Sequence, residues 1–597
     1  MPKPPFDRFV KFPELTSLLE GFANHFPNLL ELSSIGQSHE GRDIWLCTIT
    51  NRETGPASEK PAIWIDANIH ATELTGSTAA LYLIDKLVTT YGTDERVTRA
   101  LDTRAFYVVP RLGPDGAELA MAERPRYIRS STRPYPRTDQ QDGLIAQDMD
   151  GDGRILTMRI PDPNGTWKRS SADARLLVPR DPDEDGPGPY YRLLTEGEIQ
   201  NFDGVNIKPA PILQGLDMNR NYPVDWRPEG EQRGAGPFPT SEPEIRATVQ
   251  ALVDRPNVCA FIQYHTYSGV HLRPSGTKPD DDLPTFDVRV YKKLGEKATE
   301  ITGYPTVSVY HGFRYDPKDN ITGVSDDWAY EHLGVHAWVT EFWSPQRAAG
   351  IEEYDFIGWF IDHPADDDLK FLAWSDEQLG GEGFVEWYPY EHPQLGPVEL
   401  GGWNTAFCIR NPPPDRLEAE VAPHADWAIW HLLISPLLRL REVQVERLDG
   451  SHPPAGTRAM GAGRIPTGPP SHSDEPSGEE PTTSMTWRIR LVIENTGWLP
   501  TNVTQKALDR KAVRPVEVEI KLPDGAGLVG VEAKKELGQL GGRVGRNSML
   551  AGFGSASDAT EDRASAEWVV RAPVGTEVQL EARHPRAGVV RTAVTLG

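Results

Sequence analysis

Residues 62–73 read AIWIDANIHATE, a strand-like run that ends in two metal-binding residue types. Five of the first six residues are apolar, in the manner of a buried β-strand. His70 and Glu73 follow as an H-x-x-E pair, which can turn an imidazole and a carboxylate toward one point. Both groups suit zinc. Alone the pair is a weak signal, and a structural or surface role is the alternative.

The segments around this strand alternate between helical and strand-like patterns. Helices are predicted at residues 12–31 and 76–90, and further strands at residues 44–50, 105–110, 257–264 and 335–340. This alternation indicates an α/β domain with a largely parallel or mixed sheet. Ligands in such domains bind at the carboxyl ends of the strands.

Two of these strands also end in residues with metal or acid–base chemistry. The segment QYHTYSG contains His265, and the segment WVTEFW contains Glu341. Two His and one Glu form a catalytic zinc set that leaves a position for water. Glu341 stands among aromatic residues, where a carboxylate is unfavourable without a function or a partner. The alternatives are a hydrogen-bonded core histidine and a buried ion pair.

The stretch GLDMNRNYPVDW adds Asp217, Asn219 and Arg220. Arginine binds a carboxylate through two parallel hydrogen bonds, and asparagine can add another. Asn219 and Arg220 therefore suit a substrate with a free C-terminus. Asp217 can accept the outer ring N–H of a zinc-bound histidine. On its own, NRN is also a common turn.

Together these motifs resemble those of the M14 zinc carboxypeptidases. The resemblance extends from about residue 6 to residue 345, with the segments in the family's order: SIGQSHEGRDIW, NIHATE, VVPRLGPDGAE, GLDMNRNY, GPFPTSEPE, QYHTYSG, DDWAYEHLG and WVTEFW. It implies a mixed eight-stranded sheet flanked by helices. It also implies one zinc ion per chain, bound by His70, Glu73 and His265, and Glu341 as the base that activates a zinc-bound water.

The same resemblance implies the substrate contacts. Asn219 and Arg220 would hold the terminal carboxylate, and Asp217 would be the partner of His70. Arg129, in RYIRSSTR, matches the arginine that polarises the scissile carbonyl and stabilises the oxyanion. Neighbouring arginines compete for this last role: Arg124, Arg126 and Arg133.

Two positions of the substrate pocket depart from the family or vary within it. The family's loop tyrosine corresponds to a position near Asp319, so Tyr315 or Tyr310 would have to replace it, or the role is lost. Asp326, two residues before Trp328, matches the floor of the pocket for the terminal side chain. An acidic floor favours Lys or Arg at the substrate's C-terminus. The alternative is that Asp326 caps a turn.

Residues 123–215 are rich in Arg, Pro, Asp and Gly and predict a loop-rich insertion. Within it, Asp148, Asp150 and Asp152 of DMDGDG resemble the start of a calcium loop of the EF-hand type. The twelfth position is Arg159, where the full motif has a bidentate Glu. A calcium site and a solvated turn therefore stay as equal alternatives.

The chain is predicted to contain two domains, a catalytic domain at residues 1–436 and a second domain at 437–597. Strand-like runs with turn signals between them predict an all-β sandwich for the second domain. They lie at residues 438–447, 487–494, 515–521, 566–571, 577–582 and 589–595. Residues 452–485, which hold almost no large apolar side chains, predict a disordered loop.

The net charge of the chain limits the classes of molecule that it is expected to bind. Lys and Arg number 62 against 87 Asp and Glu, a net charge of −25, which disfavours nucleic acid and anionic membranes. No run of about 18 apolar residues occurs, so no membrane span is predicted. The N-terminal MPKPPFDRFVKFPEL lacks the apolar core of a signal peptide, and the cysteines number three. These features favour a cytoplasmic location, with secretion as the open alternative.

We therefore predict a zinc metallocarboxypeptidase that acts on a peptide or acyl-amino-acid substrate with a free carboxylate. Two alternatives stay open. One is a zinc amidohydrolase that acts on N-acyl amino acids or cell-wall peptides. The other is a non-catalytic protein that binds a partner or glycan through its β-sandwich. The intact set of His70, Glu73, His265 and Glu341 argues against the second alternative.

Overall fold

The computed structural model describes residues 2–316, 318–448, 484–544 and 559–597. The chain forms two compact units, Met1–Ser435 with Asn502–Val513, and Pro436–Thr501 with Arg514–Gly597. The predicted disordered loop at 452–485 lies outside the described residues, apart from positions 484 and 485. Among the helices of the described segments, none combines the length and apolarity needed to cross a membrane.

An eight-stranded mixed sheet forms the centre of the first unit. In spatial order its strands are Leu30–Gln37, Asp43–Ile49, Ala105–Val109, Ala62–Ala67, Val258–Thr266, His336–Phe342, Val270–Arg273 and Thr306–Ser308. The four middle strands run parallel to one another, and the strand next to them on either side, Asp43–Ile49 or Val270–Arg273, is antiparallel to its middle neighbour. Three of these four strands are buried at every residue, as expected of parallel strands covered on both faces. The predicted α/β class and mixed sheet are confirmed.

Helices alternate with these strands along the chain. The longer ones are Phe12–His25, Thr75–Thr89, Glu95–Thr103, Pro114–Ala120, Pro243–Val253, Thr285–Thr302, Ala365–Gln378 and Leu417–Leu433. Short helices occur at Val309–Gly312, Ser325–Trp328, Pro345–Ala348 and Gln505–Asp509. The helix predicted at residues 12–31 was too long at its carboxyl end. It ends at His25, because Pro27 disfavours a helical conformation at the residue before it.

The segment predicted as a loop-rich insertion contains short strands. They are Gly143–Ala146, Thr157–Pro161, Trp167–Arg169, Leu177–Pro179, Tyr190–Thr195 and Gly197–Gln200. Four of them extend the hairpin formed by Phe384–His392 and Gly396–Trp403 into a six-stranded antiparallel sheet. Arg159 lies in this sheet, with its guanidinium 4.2 Å from the centre of the Trp387 ring.

The second unit contains two four-stranded antiparallel sheets. One is ordered Leu438–Arg447, Met485–Asn495, Arg563–Ala572 and Gly527–Leu528. The other is ordered Lys534–Glu536, Glu517–Lys521, Glu577–His584 and Gly588–Thr595. Side chains of both sheets share one apolar core, which includes Trp487, Val518, Trp568 and Leu580. The prediction of an all-β sandwich is confirmed.

Candidate active site

The carboxyl ends of three neighbouring parallel strands bring the predicted site residues together. Across one ladder His265 is the partner of Glu341, and across the next Tyr264 is the partner of Ala67. His70 follows three residues after Ala67. These side chains therefore lie at the edge of the sheet where α/β domains bind ligands.

His70, Glu73 and His265 are buried, and their donor atoms lie within 4.8 Å of one another. His70 Nδ1 is 2.9 Å from Glu73 Oε1, and His265 Nδ1 is 2.9 Å from Glu73 Oε2. Burial raises the pKa of the Glu73 carboxyl, but His70 and His265 outweigh this effect and hold that pKa well below its ordinary value. Two imidazole nitrogens and a carboxylate in this arrangement fit one zinc ion.

The backbone around this corner explains how it forms. Asn68 adopts a left-handed φ of 58°, which asparagine tolerates well, and its amide donates a 2.7 Å hydrogen bond to the His70 carbonyl. Gly116 of the PDG motif allows a close approach, because a Cβ there would lie 2.1 Å from the Ser130 carbonyl oxygen. The segment that carries Arg129 can thus pack against the H-x-x-E corner, the turn that carries His70 and Glu73.

Both candidate zinc-binding histidines have a hydrogen-bond partner on Nε2, the ring nitrogen that points away from Glu73. His70 Nε2 lies 3.0 Å from Asp217 Oδ1, as predicted from the sequence. His265 Nε2 lies 2.7 Å from Gln263 Oε1. Gln263 was missed, although it stands two residues before His265 and therefore on the same face of the strand. These contacts leave the Nδ1 atoms of both rings for a metal.

Of the arginines considered from the sequence for the oxyanion role, Arg129 contacts a candidate zinc ligand. Its Nε donates to Asp217 Oδ2 at 3.0 Å and its Nη1 to Glu73 Oε1 at 3.1 Å. Burial lowers the pKa of Arg129, but Asp217 and Glu73 outweigh burial and raise it, so the cation is stabilised. Arg133 instead pairs with a glutamate, Glu242, and Arg126 with the side chain of Gln214.

A pocket next to the three candidate zinc ligands collects the other predicted residues. Its walls include the apolar side chains of Leu272, Val309, Phe313, Ile321, Val324 and Val339. Its polar lining comprises His70, Arg129, Asn219, Arg220, His265, Tyr315, Asp326 and Glu341. All the site residues predicted for substrate or catalysis thus line one pocket.

A short 3-10 turn, Met218–Arg220, presents Asn219 and Arg220 to the pocket. The Asp217 carboxylate caps the turn by accepting from the Asn219 backbone N–H at 2.9 Å. The Ser325 N–H donates to Asn219 Oδ1 at 2.9 Å, which leaves the side-chain NH2 group to face a ligand. The Arg220 guanidinium stays 3.7 Å from Asp217, a loose pairing that leaves donors for a carboxylate.

Among the described residues, Asp326 is one of two acids that line the pocket. Its Oδ2 has no hydrogen-bond partner within the described segments, and burial raises the pKa of its carboxyl to about 6. The neighbouring Asp327 instead accepts from the Gly276 N–H at 3.0 Å. Asp326 thus lines the pocket as a buried carboxyl, and the charge of Arg220 offsets part of the effect of burial on its pKa.

Glu341 and Tyr315 complete the lining. Burial, followed by the charge of Glu73, raises the pKa of the Glu341 carboxyl well above its ordinary value. Of the two tyrosines considered from the sequence, Tyr315 lines the pocket. Tyr310 instead packs beneath the Arg314 guanidinium at 4.2 Å, and Asp319 pairs with Arg227 at 3.2 Å.

The acidic loop of the insertion is only partly arranged as the sequence suggested. Oxygens of Asp148 and Asp150 lie together with one from Glu196, whereas Asp152 pairs with Arg154 at 2.7 Å. Backbone N–H groups already donate to Asp148 and Glu196, at 2.6 Å in each case. The protein's own donors thus hold the loop, and calcium is not supported.

The chain belongs to the zinc carboxypeptidase family, whose model matches residues 15–357. This match confirms the resemblance that the motifs indicate. A second model, a domain of unknown function (DUF8731), matches residues 478–595.

Individual relatives are distant. Rat carboxypeptidase A2 is 26% identical over 336 residues, which is 55% of this chain and 61% of the rat protein. Carboxypeptidase B of the crayfish Astacus astacus is 23% identical over 333 residues, 54% of this chain and 82% of the crayfish protein. Among solved structures, carboxypeptidase A from Helicoverpa armigera matches with a TM-score of 0.39 and 16% identity, over 63% of this chain and 74% of that one.

Proposed function

We propose that this chain is a zinc-dependent metallocarboxypeptidase that hydrolyses the C-terminal peptide bond of peptides. The observation that carries the proposal is one pocket. This pocket adjoins the His70, Glu73 and His265 donor set and holds an acid, Glu341, and two cationic side chains, Arg129 and Arg220. Family membership supports the same chemistry. The chain covers only 61% of rat carboxypeptidase A2, so the activity is argued from the site itself.

The catalytic roles follow from the positions of the side chains. Zinc held by His70, Glu73 and His265 would polarise the scissile carbonyl and lower the pKa of water. Glu341 takes a proton from the attacking water on a carboxylate oxygen and then delivers it to the leaving amine. Arg129 donates hydrogen bonds to the oxyanion that develops on the carbonyl oxygen.

Recognition of a chain end depends on Asn219 and Arg220. A planar guanidinium with a loosely held counter-ion can form two parallel hydrogen bonds to a terminal carboxylate. The Asn219 amide N–H adds a third donor. Because these donors are fixed on one turn, the last residue of the substrate is placed with its peptide bond beside Glu341.

Asp326 determines the preferred terminal residue. A carboxylate buried among apolar walls, with one oxygen lacking a partner in the described part of the chain, is stabilised by a cation that enters the pocket. We therefore expect Lys and Arg to be the preferred C-terminal residues.

The test is hydrolysis of acylated dipeptides that end in Phe, Leu, Lys, Arg or Glu, each with a free and with an amidated C-terminus. The proposal expects release of the last residue from the free acids alone, with Lys and Arg fastest. The panel also contains N-acyl amino acids and cell-wall peptides. Turnover of these compounds without turnover of any dipeptide would replace the proposal with the amidohydrolase alternative.

A further inference from the structure

A cation from beyond the family-matched region lies beside the H-x-x-E corner. Arg410 follows the helical turn Thr405–Ile409, and its Nη1 donates to Thr72 Oγ1 at 3.3 Å. Thr72 stands between the two candidate zinc ligands of the H-x-x-E pair. The Arg410 guanidinium carbon also lies 5.7 Å from the centre of the Tyr267 ring. Arg410 is not part of the lining of the pocket that holds Asp326.

Arg410 differs from the other cations of the site in its pairing. Arg129 and Arg220 face the Asp217 carboxylate at 3.0 and 3.7 Å. The side-chain contacts of Arg410 within the described residues are Thr72 and Tyr267, and neither is a carboxylate. No carboxylate of the described residues forms an ion pair with Arg410, although the Glu341 carboxyl is close enough for the Arg410 charge to lower its pKa in part. In a protein with a net charge of −25, such a cation in the active-site region provides a place for a further anion.

The surroundings of Arg410 suit an acidic side chain. The Tyr267 ring packs edge-on against Phe360, with ring centres 5.3 Å apart, which gives an apolar wall for a methylene stem. The Arg410 guanidinium uses one N–H in its hydrogen bond to Thr72, so other N–H groups stay available for two parallel hydrogen bonds to a carboxylate. Near Glu341 and Glu73, such a carboxylate would be repelled without a compensating cation.

We propose that Arg410 binds an acidic side chain of the substrate on the amino-terminal side of the scissile bond. This inference rests on the proposed carboxypeptidase function. The last residue of the substrate fills the pocket lined by Arg220 and Asp326, so the preceding residues leave the site outside that pocket. Arg410 and Tyr267 lie outside it and still adjoin the candidate zinc ligands. The substrate would then carry an acidic residue upstream and a basic residue at its end.

The test compares acyl-Glu-Lys with acyl-Gln-Lys, and acyl-Glu-Ala-Lys with acyl-Gln-Ala-Lys. The wild type should hydrolyse the Glu peptide about tenfold faster in kcat/KM than its Gln partner in one of the two pairs. Arg410→Gln should bring this ratio close to one, and Arg410→Lys should retain part of it. The matched control Arg416→Gln, whose guanidinium contacts Gln378 instead, should keep the full ratio.

Three results would overturn the inference. They are a wild-type ratio near one in both pairs, a ratio that survives Arg410→Gln, and an equal loss on Glu and Gln peptides in Arg410→Gln. The last result would mean that Arg410 binds an uncharged oxygen. Calorimetric titration of the Glu341→Gln variant with the same peptides measures the ratio of the affinities for the Glu and Gln peptides. If the wild type hydrolysed neither peptide, the proposed carboxypeptidase function would be wrong. The affinity ratio would still decide whether Arg410 binds an acidic side chain.

Discussion

The Nδ1 atoms of His70 and His265 lie 3.1 Å apart, each 2.9 Å from an oxygen of Glu73. The outer Nε2 atoms of the two rings face acceptor oxygens of Asp217 and Gln263. An imidazole that donates from Nε2 presents a lone pair at Nδ1. Two lone pairs and a carboxylate that meet at one point repel one another unless a cation is shared. The arrangement therefore fits a shared metal ion.

Removing one ligand should remove the metal. Wild-type protein should contain one zinc per chain, whereas His265→Ala should lose it, because two remaining ligands bind zinc weakly. Plasma mass spectrometry of dialysed protein measures the content. His311→Ala is the control, since His311 is half exposed and lies outside the ligand set. Zinc retained at full stoichiometry in His265→Ala would contradict the assignment.

We expect Gln263 to increase the affinity for zinc by orienting the His265 ring. Gln263→Leu removes the acceptor that fixes the ring, and the affinity for zinc should fall about 10- to 100-fold. Competition with a chromophoric chelator measures this affinity. Gln346→Leu is a matched control: Gln346 is buried, and its amide atoms have no hydrogen-bond partner in the described residues, so its removal should leave zinc binding unchanged. Equal affinities in both variants would show that Gln263 does not orient the ligand.

The terminal-residue preference should depend on the charge of Asp326. Asp326→Asn should lower kcat/KM for peptides ending in Lys or Arg about tenfold or more, and should change Leu-terminated peptides little. Steady-state kinetics on the two peptide types gives the ratio. Asp281→Asn, at an exposed acid that is outside the pocket lining, serves as the control. A wild type that prefers Phe or Leu would already contradict this role.

Glu244 should make stability fall as pH rises. Burial raises the pKa of its carboxyl to about 7, above the usual value near 4.5. Between these values the folded state keeps a proton that the unfolded state releases, so stability is lost with increasing pH, by about 3 kcal/mol in total. Glu244→Gln should therefore melt higher than the wild type at pH 8, with the gap closing at pH 4.5. A gap independent of pH would refute this assignment.

The pair between Lys506 and Glu331 should stabilise the first unit. Lys506 Nζ lies 3.1 Å from both oxygens of Glu331, and Glu331 is buried. Lys506→Met should lower the free energy of unfolding by about 1–3 kcal/mol, because the buried Glu331 carboxylate loses one of the cations that balance its charge. Thermal unfolding measures the effect. Lys297→Met, in an exposed pair with Glu300, should have almost none. Equal effects would mean that the Lys506 pair is no stronger than a surface pair.

The strands that carry the site were predictable because they are buried along their length. Ala62–Ala67 and Val258–Thr266 read as mostly apolar runs, and a residue with metal chemistry, His70 or His265, follows the apolar part of each. A run of this kind signals a covered strand without any knowledge of its neighbours. The strand Leu30–Gln37 was missed: its first two residues were assigned to the helix predicted at residues 12–31, and the polar residues that follow give no apolar run.

The features that the sequence did not reveal depend on contacts between distant segments. Thr72 and Arg410 are 338 residues apart along the chain, so no local pattern links them. The strands of the insertion are three to six residues long and pair in part with Gly396–Trp403. Strands so short give too few alternations to be recognised, and tertiary pairing stabilises them.

The most direct test of the account compares wild type with Glu341→Gln for zinc content and for release of the last residue from acyl-dipeptides. Glu341 is the proposed proton carrier and lies outside the ligand set. The account predicts one zinc per chain in both proteins and a rate about 10²- to 10⁴-fold lower in the variant. Zinc-loaded wild type that releases no residue from any peptide, or a variant that is as fast as the wild type, would contradict it.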